Sequence, residues 1–125
     1  MTSIPPRWIR AGIVVLALLG GCGEPQTSLA VPGGNPQKGK VQLAAFGCGS
    51  CHLIPGVDHA YGMVGPALTK FALRSYIAGE VTNSPSNLVQ WIMTPQSIEP
   101  GTAMPNLGVT EAQARDIAAY LYTLR

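Results

Sequence analysis

Apolar and polar positions divide this chain into three stretches of different character. From Trp8 to Leu19 the residues are almost wholly apolar, with Arg7 and Arg10 at the start and Leu19-Gly20-Gly21-Cys22 at the end. That run is shorter than the roughly 20 residues an apolar helix needs to cross a bilayer. A basic start, a short apolar stretch and small residues before a break predict an export signal over residues 1–21. Gly23–Gln37 has no apolar period and is punctuated by Gly and Pro, which predicts a tether. Helical spacing begins after it. Asn35 followed by Pro36 predicts a capped start for a helix running to Gly47. Ser84-Pro85 starts a second helix with Leu88, Trp91 and Ile92 on one face, ending before Pro95. Thr110 with Gln113 forms a capping-box pattern, and Ala114, Ile117, Ala118 and Leu121 make an inward stripe on the terminal helix. A shorter helical piece is expected around Phe71–Ala78. No stretch alternates with period two long enough to argue a sheet, and no internal repeat is visible. The expected fold is all-α with long loops.

Composition adds compartment and exclusions. The 125 residues are 46% hydrophobic and only 11% charged, with a formal charge of +2. Without residues 1–21, which hold Arg7 and Arg10, basic and acidic side chains number six each and cancel. A nucleic-acid partner is therefore not expected, because binding one calls for a basic stripe. Three cysteines, two of them three positions apart, do not make a disulfide scaffold. Leu19-Gly20-Gly21-Cys22 resembles the lipobox of bacterial lipoproteins, which implies that Cys22 is acylated and holds the domain at a membrane surface. Several acyl chains make such anchoring stable, since each buried methylene contributes about 0.8 kcal/mol. The domain is then exported, lipid-anchored and on the periplasmic or extracellular side, and expected to be a monomer. Residues 22–37 form the acylated cysteine and flexible tether, and 38–125 the folded domain. The tether reaches at most about 46 Å at roughly 3.1 Å per residue. A folded part of about 90 residues is small for a self-sufficient core, so something else is expected to fill the interior.

Cys48-Gly49-Ser50-Cys51-His52 supplies the candidate. C-x-x-C-H is the attachment pattern of c-type haem. Two thiols at this spacing can each add to one vinyl group of the porphyrin, and the next residue places an imidazole beneath the iron. Such attachment occurs outside the cytoplasm in bacteria, in agreement with the export signal. A thioredoxin-type redox pair calls for a nearby βαβ pattern, and a zinc site for a fourth ligand; the sequence offers neither convincingly, although His59 is present. The other axial position separates carrier from catalyst. A methionine there closes the site and raises the potential. Met63 lies 11 residues after His52 and needs a sharp fold-back; Met93 sits inside a helix, off the Leu88–Ile92 stripe. Met104 lies in Pro100-Gly101-Thr102-Ala103-Met104-Pro105, a rigid loop between two helices, and is the expected ligand.

With these residues in place, the chain from Gly39 onwards resembles a class I cytochrome c, a fold of three to five helices wrapped around one covalent haem. The resemblance implies several further roles. Gly65-Pro66 with Leu68 matches the family loop in which the proline carbonyl accepts the proton of the axial imidazole, so Pro66 orients His52. Arg74 matches the arginine near a haem propionate, and Trp91 the aromatic beside the methionine. Thr82-Asn83-Ser84-Pro85-Ser86-Asn87-Leu88, Pro95-Gln96, and Pro100-Gly101 through Met104-Pro105-Asn106-Leu107 resemble the cytochrome c domain fused to subunit II of some bacterial haem–copper oxidases. No copper-binding segment and no pair of membrane helices stand before the domain in this sequence, so the likeness is to the carrier module alone. Leu43 stands where relatives often carry an aromatic. The resemblance implies a tethered monohaem carrier of single electrons in a respiratory chain. Its donor is membrane-bound, its acceptor is a terminal oxidase, and it has no catalytic residue of its own. The enzyme-class alternative is a haem peroxidase or ligand sensor with an open sixth iron site.

Overall fold

A computed structural model describes residues 30–125. The expected signal, the acylated Cys22 and most of the tether lie outside the described residues. Helix α1 spans Pro36–Ala45, α2 Pro85–Met93 and α3 Glu111–Leu121. Single 3-10 turns occur at Cys48–Ser50, Phe71–Leu73 and Pro95–Ser97.

Each helix starts where a side chain satisfies the open amide groups of its first turn. The Asn35 side chain accepts from the Lys38 amide at 3.0 Å, and Ser84 Oγ from the Asn87 amide at 3.3 Å. Thr110 and Gln113 form the reciprocal pair: each backbone N–H is bonded by the other's side chain. Helix α1 stops at Phe46, followed by Gly47 with φ of 70°.

Helices α1 and α3 pack against each other, and the closeness is set by Gly39. A β-carbon there would stand 2.0 Å from the Asp116 carbonyl oxygen, so any other residue forces the pair apart. Ala114, Ile117, Ala118 and Leu121 are all buried, as the stripe predicts, and share a core with Leu43, Ile54, Phe71, Leu88 and Ile92. Asp116 is buried too, at 8% exposure. Its carboxylate accepts from the Asn35 amide at 2.7 Å and from Gln42 Nε2 at 3.3 Å, which supplies the partners a buried acid needs.

Three local expectations change. Residues 31–37 belong to the folded body and not to a tether. Val31 is buried, the Arg115 guanidinium donates to the Pro32 carbonyl at 3.1 Å, and Asn35 is tied to Asp116. The helical piece expected at Phe71–Ala78 is one 3-10 turn, after which the chain extends. There it forms a hairpin of β1, Tyr76–Ile77, and β2, Val81–Thr82, paired antiparallel with Ile77 opposite Val81. The loop between them, Ala78-Gly79-Glu80, has positive φ at its first two residues, a combination that suits hairpins and ends a helix. Two-residue strands are too short to leave a period in the sequence. Among the described residues, no helix is long and apolar enough to cross a membrane.

Candidate functional site

The C-x-x-C-H segment leaves α1 through the αL turn at Gly47 and coils into the 3-10 turn at Cys48–Ser50. The two cysteines are partly buried thiols, not joined in a disulfide. Burial pushes the Cys48 thiol above its ordinary value; a backbone hydrogen bond opposes the shift and neighbouring Cys51 adds to it. A thiol moved in that direction is protonated at neutral pH, unlike the depressed thiol of a redox pair.

The stretch 62–68 lies alongside 49–53 and is bonded to it at three points. The amides of Gly62, Gly65 and Leu68 donate to the carbonyls of Gly49, Cys51 and Leu53 at 2.9, 2.8 and 2.8 Å. This pairing brings His52 Nδ1 to 2.7 Å from the Pro66 carbonyl oxygen. A carbonyl only accepts, so Nδ1 carries the proton and Nε2 keeps its lone pair for a metal. Gly65 lies flat against the ring: a β-carbon there would come within 2.4 Å of His52 Cε1. The imidazole is thus held at its edge by a hydrogen bond and at its face by backbone.

Arg74 lies just beyond. Its Nη2 donates to the Ala67 carbonyl and, at 3.4 Å, to that of Thr69, while the guanidinium sits 5.3 Å from the centroid of the Phe71 ring. It braces the loop that carries Pro66. The segment between His52 and Gly62 is also tied to the body: the Tyr120 hydroxyl donates to the Pro55 carbonyl at 2.7 Å. Burial raises the Tyr120 phenol above its usual value.

Met104 is held differently. It is partly buried, on the loop between the turn Pro95–Ser97 and α3. Its N–H is 3.2 Å from Thr102 Oγ1, and its carbonyl accepts from Gln96 Nε2 at 2.7 Å. Trp91 is partly buried against the core. Met63 is 88% exposed and Met93 packs on the core. The structure therefore brings His52, Pro66 and the cysteine turn together, with Arg74 one residue removed through Ala67, and places Met104 and Trp91 on the α2 side.

Sequence reasoning named Gly65 and Gln96 only as parts of motifs and gave neither a role. A pair of glycines three apart, Gly62 and Gly65, directly before Pro66 was the available sign of close backbone approach. Nothing local marks Gln96.

The donor set fits a covalently held haem: two free thiols three positions apart, and an imidazole whose free nitrogen is fixed by the bond at the other. Comparison with known proteins agrees. Residues 36–125 match the cytochrome c family. The chain is similar to "Cytochrome c oxidase subunit 2" of Alkalihalophilus pseudofirmus, with 34% identity over 103 residues, 82% of this chain and 28% of the relative. It is also similar to "Cytochrome c oxidase subunit 2" of Bacillus sp. (strain PS3), with 32% identity over 82 residues, 62% of this chain and 23% of the relative. The chain spans about a quarter of the length of these curated relatives.

Proposed function

Because the chain belongs to the cytochrome c family and carries covalent haem c, we propose that it is a lipid-tethered monohaem electron carrier serving a terminal haem–copper oxidase. The observation that carries this reading is the 2.7 Å bond from His52 to the Pro66 carbonyl inside an intact C-x-x-C-H. Cys48 and Cys51 hold the porphyrin through thioethers, and His52 Nε2 and Met104 Sδ hold the iron. Bound haem c supplies a one-electron ferric–ferrous couple, and no substrate is transformed.

The remaining work falls to the chain itself. Pro66 fixes the ring orientation of His52 and raises its basicity as a ligand, the usual effect of a hydrogen bond at the outer imidazole nitrogen. Gly65 admits the ring and Arg74 stiffens the loop behind it. The described bonds of Arg74 use Nη2 alone, so its other nitrogens suit a propionate. Met104 keeps exogenous ligands off the iron, and Trp91 packs beside it.

The partner rests on similarity to the oxidase subunits and on charge. The mature side chains sum to zero and the two haem propionates make the whole slightly acidic, so long-range steering is weak. Acylation at Cys22 replaces steering by confinement, raising effective concentration into the millimolar range. Docking uses an apolar surface at the cofactor edge. Tyr61, Met63 and Val64 are strongly exposed on the loop bonded to the cysteine turn, and between Phe46 and Thr69 only Asp58 carries a full charge.

The experiment is oxidase turnover with anchored and truncated holoprotein across a range of ionic strength. The anchored form is expected to work with a shallow salt dependence and the truncated form to need far higher concentration. A steep loss of rate with salt overturns the docking reading, and no turnover at all removes the oxidase as partner.

A further inference from the structure

Methionine is the least self-directing of ligands. Its side chain has three rotatable bonds and no preferred polar partner, so the direction of its sulfur depends on how firmly its own backbone is held. In this chain that backbone is clamped by one side chain from outside the loop. The Met104 carbonyl accepts from Gln96 Nε2 at 2.7 Å, and its N–H is satisfied by Thr102 Oγ1 at 3.2 Å. Pro105 follows, which disfavours the helical conformation at Met104. Both peptide planes flanking its Cα are thereby fixed, and only the side-chain torsions remain free.

Gln96 stands on a rigid pedestal. Pro95 beside it is among the most deeply buried residues and opens a 3-10 turn at the end of α2. That turn is pinned by Ser97 Oγ donating to the Thr94 carbonyl at 2.7 Å and by Thr94 Oγ1 donating to the Gln90 carbonyl at 3.2 Å. The Ile98 and Glu99 amides both donate to the Pro95 carbonyl at 3.0 Å. The other side of the loop closes on itself, with Glu99 Oε1 accepting from the Gly101 amide at 2.9 Å and the Glu99 carbonyl from the Thr102 amide at 3.0 Å. Gln96 is the one side chain described that joins the α2 end to the Met104 peptide.

We propose that Gln96 is a positioning residue for the axial methionine: its amide donates to the Met104 carbonyl and so sets how tightly the sulfur holds the iron against competing ligands. This rests on Met104 being the sixth ligand. Because Gln96 is itself solvent-exposed, its loss removes aim without removing core packing.

The test uses ferric holoprotein and two readouts, cyanide affinity and the methionine–iron charge-transfer band, with far-ultraviolet circular dichroism as the control for folding. A bond of this kind contributes about 1 kcal/mol net, so Gln96→Leu is expected to bind cyanide about fivefold more tightly. It should lose the band at lower urea while its helices melt with those of the wild type. Gln96→Glu adds a pH signature. In the acidic region where the introduced acid is protonated it donates as the amide does, and once ionised its carboxylate faces the carbonyl oxygen and repels it. The band of this variant should weaken as pH rises through that region, which neither wild type nor Gln96→Leu shows. Wild-type cyanide affinity in Gln96→Leu, a pH-independent Gln96→Glu, or loss of band and helices at one urea concentration overturns the proposal. Met104→Ala run in parallel separates the two levels. If it keeps the band, the ligand reading fails. If it loses the band while Gln96→Leu behaves as wild type, only the clamp fails.

Discussion

The two sides of the candidate haem site are built on opposite principles. On the histidine side, residues 47–68 form a folded-back pair of segments joined by backbone hydrogen bonds, with Ile54, Val57, Ala60 and Leu68 buried in the core. On the methionine side, residues 98–108 include no buried residue. Backbone bonds occur only at the start of this stretch, to Pro95 and between Thr102 and Glu99, and the rest is held by side chain-to-backbone bonds within the loop and from Gln96. Local stability follows buried contacts and protected hydrogen bonds. The histidine side therefore shares the stability of the whole domain, whereas the methionine side can open alone. In the proposed carrier this division would keep the covalent and histidine attachments permanent and leave the proposed methionine ligand tuned by a few exposed bonds.

The largest expected effect comes from breaking the permanent side. Cys48→Ala with Cys51→Ala is expected to leave almost no stable protein, because a domain of about 90 residues without its cofactor buries too little apolar surface. Recovery of a cooperative, well-folded apo-domain, judged by circular dichroism and calorimetry, contradicts this.

The next sharpens the contrast directly. In a urea titration of ferric holoprotein, the methionine–iron band is expected to vanish before the helical signal falls, while histidine ligation and thioethers persist. Coincident transitions mean that the two sides are equally stable and the comparison is wrong.

A single methyl group tests the histidine side alone. Gly65→Ala places a β-carbon against the His52 ring, and relieving such an overlap costs about 1–3 kcal/mol. The expected result is a lowered urea midpoint and an altered potential. An unchanged potential and midpoint means that the ring does not lie where Gly65 confines it.

The smallest effect concerns neither loop but the core they share. Tyr122, 3% exposed and donating to Asn83 Oδ1 at 2.8 Å, has its phenol pushed up to about 12 by burial. Its folded value exceeds the ordinary value of about 10. The neutral phenol's contribution is therefore complete below about pH 10 and is lost as pH rises towards 12. Stability measured by urea is expected to fall across that window, and the fall to shrink in Tyr122→Phe. An equal fall in the variant assigns it to other groups.

How much of this was legible beforehand depended on how local each signal was. The helix starts were readable because Asn35-Pro36, Ser84-Pro85 and Thr110 with Gln113 each place cap and partner within three positions. The cofactor attachment was readable for the same reason, five consecutive residues carrying the chemistry. The hairpin at Tyr76–Thr82 was hidden, since its strands are two residues long and Ala78 gives no sign of adopting positive φ. The packing of residues 31–35 was hidden because it depends on Arg115 and Asp116, some eighty positions away. Gln96 was hidden because its meaning lies in the direction of one exposed side chain, which only the folded loop defines.

The most direct measurement is the optical spectrum and redox titration of purified ferric holoprotein beside its Met104→Ala variant. The wild type is expected to show the methionine–iron band and a reversible one-electron wave. The variant should keep its haem through acid–acetone extraction but lose the band, bind cyanide or carbon monoxide more readily, and show a lower potential, since thioether ligation favours the reduced iron. A variant with unchanged band and potential, or a wild type whose sixth site is already open, contradicts the account and points instead to a ligand-binding or peroxidase haem.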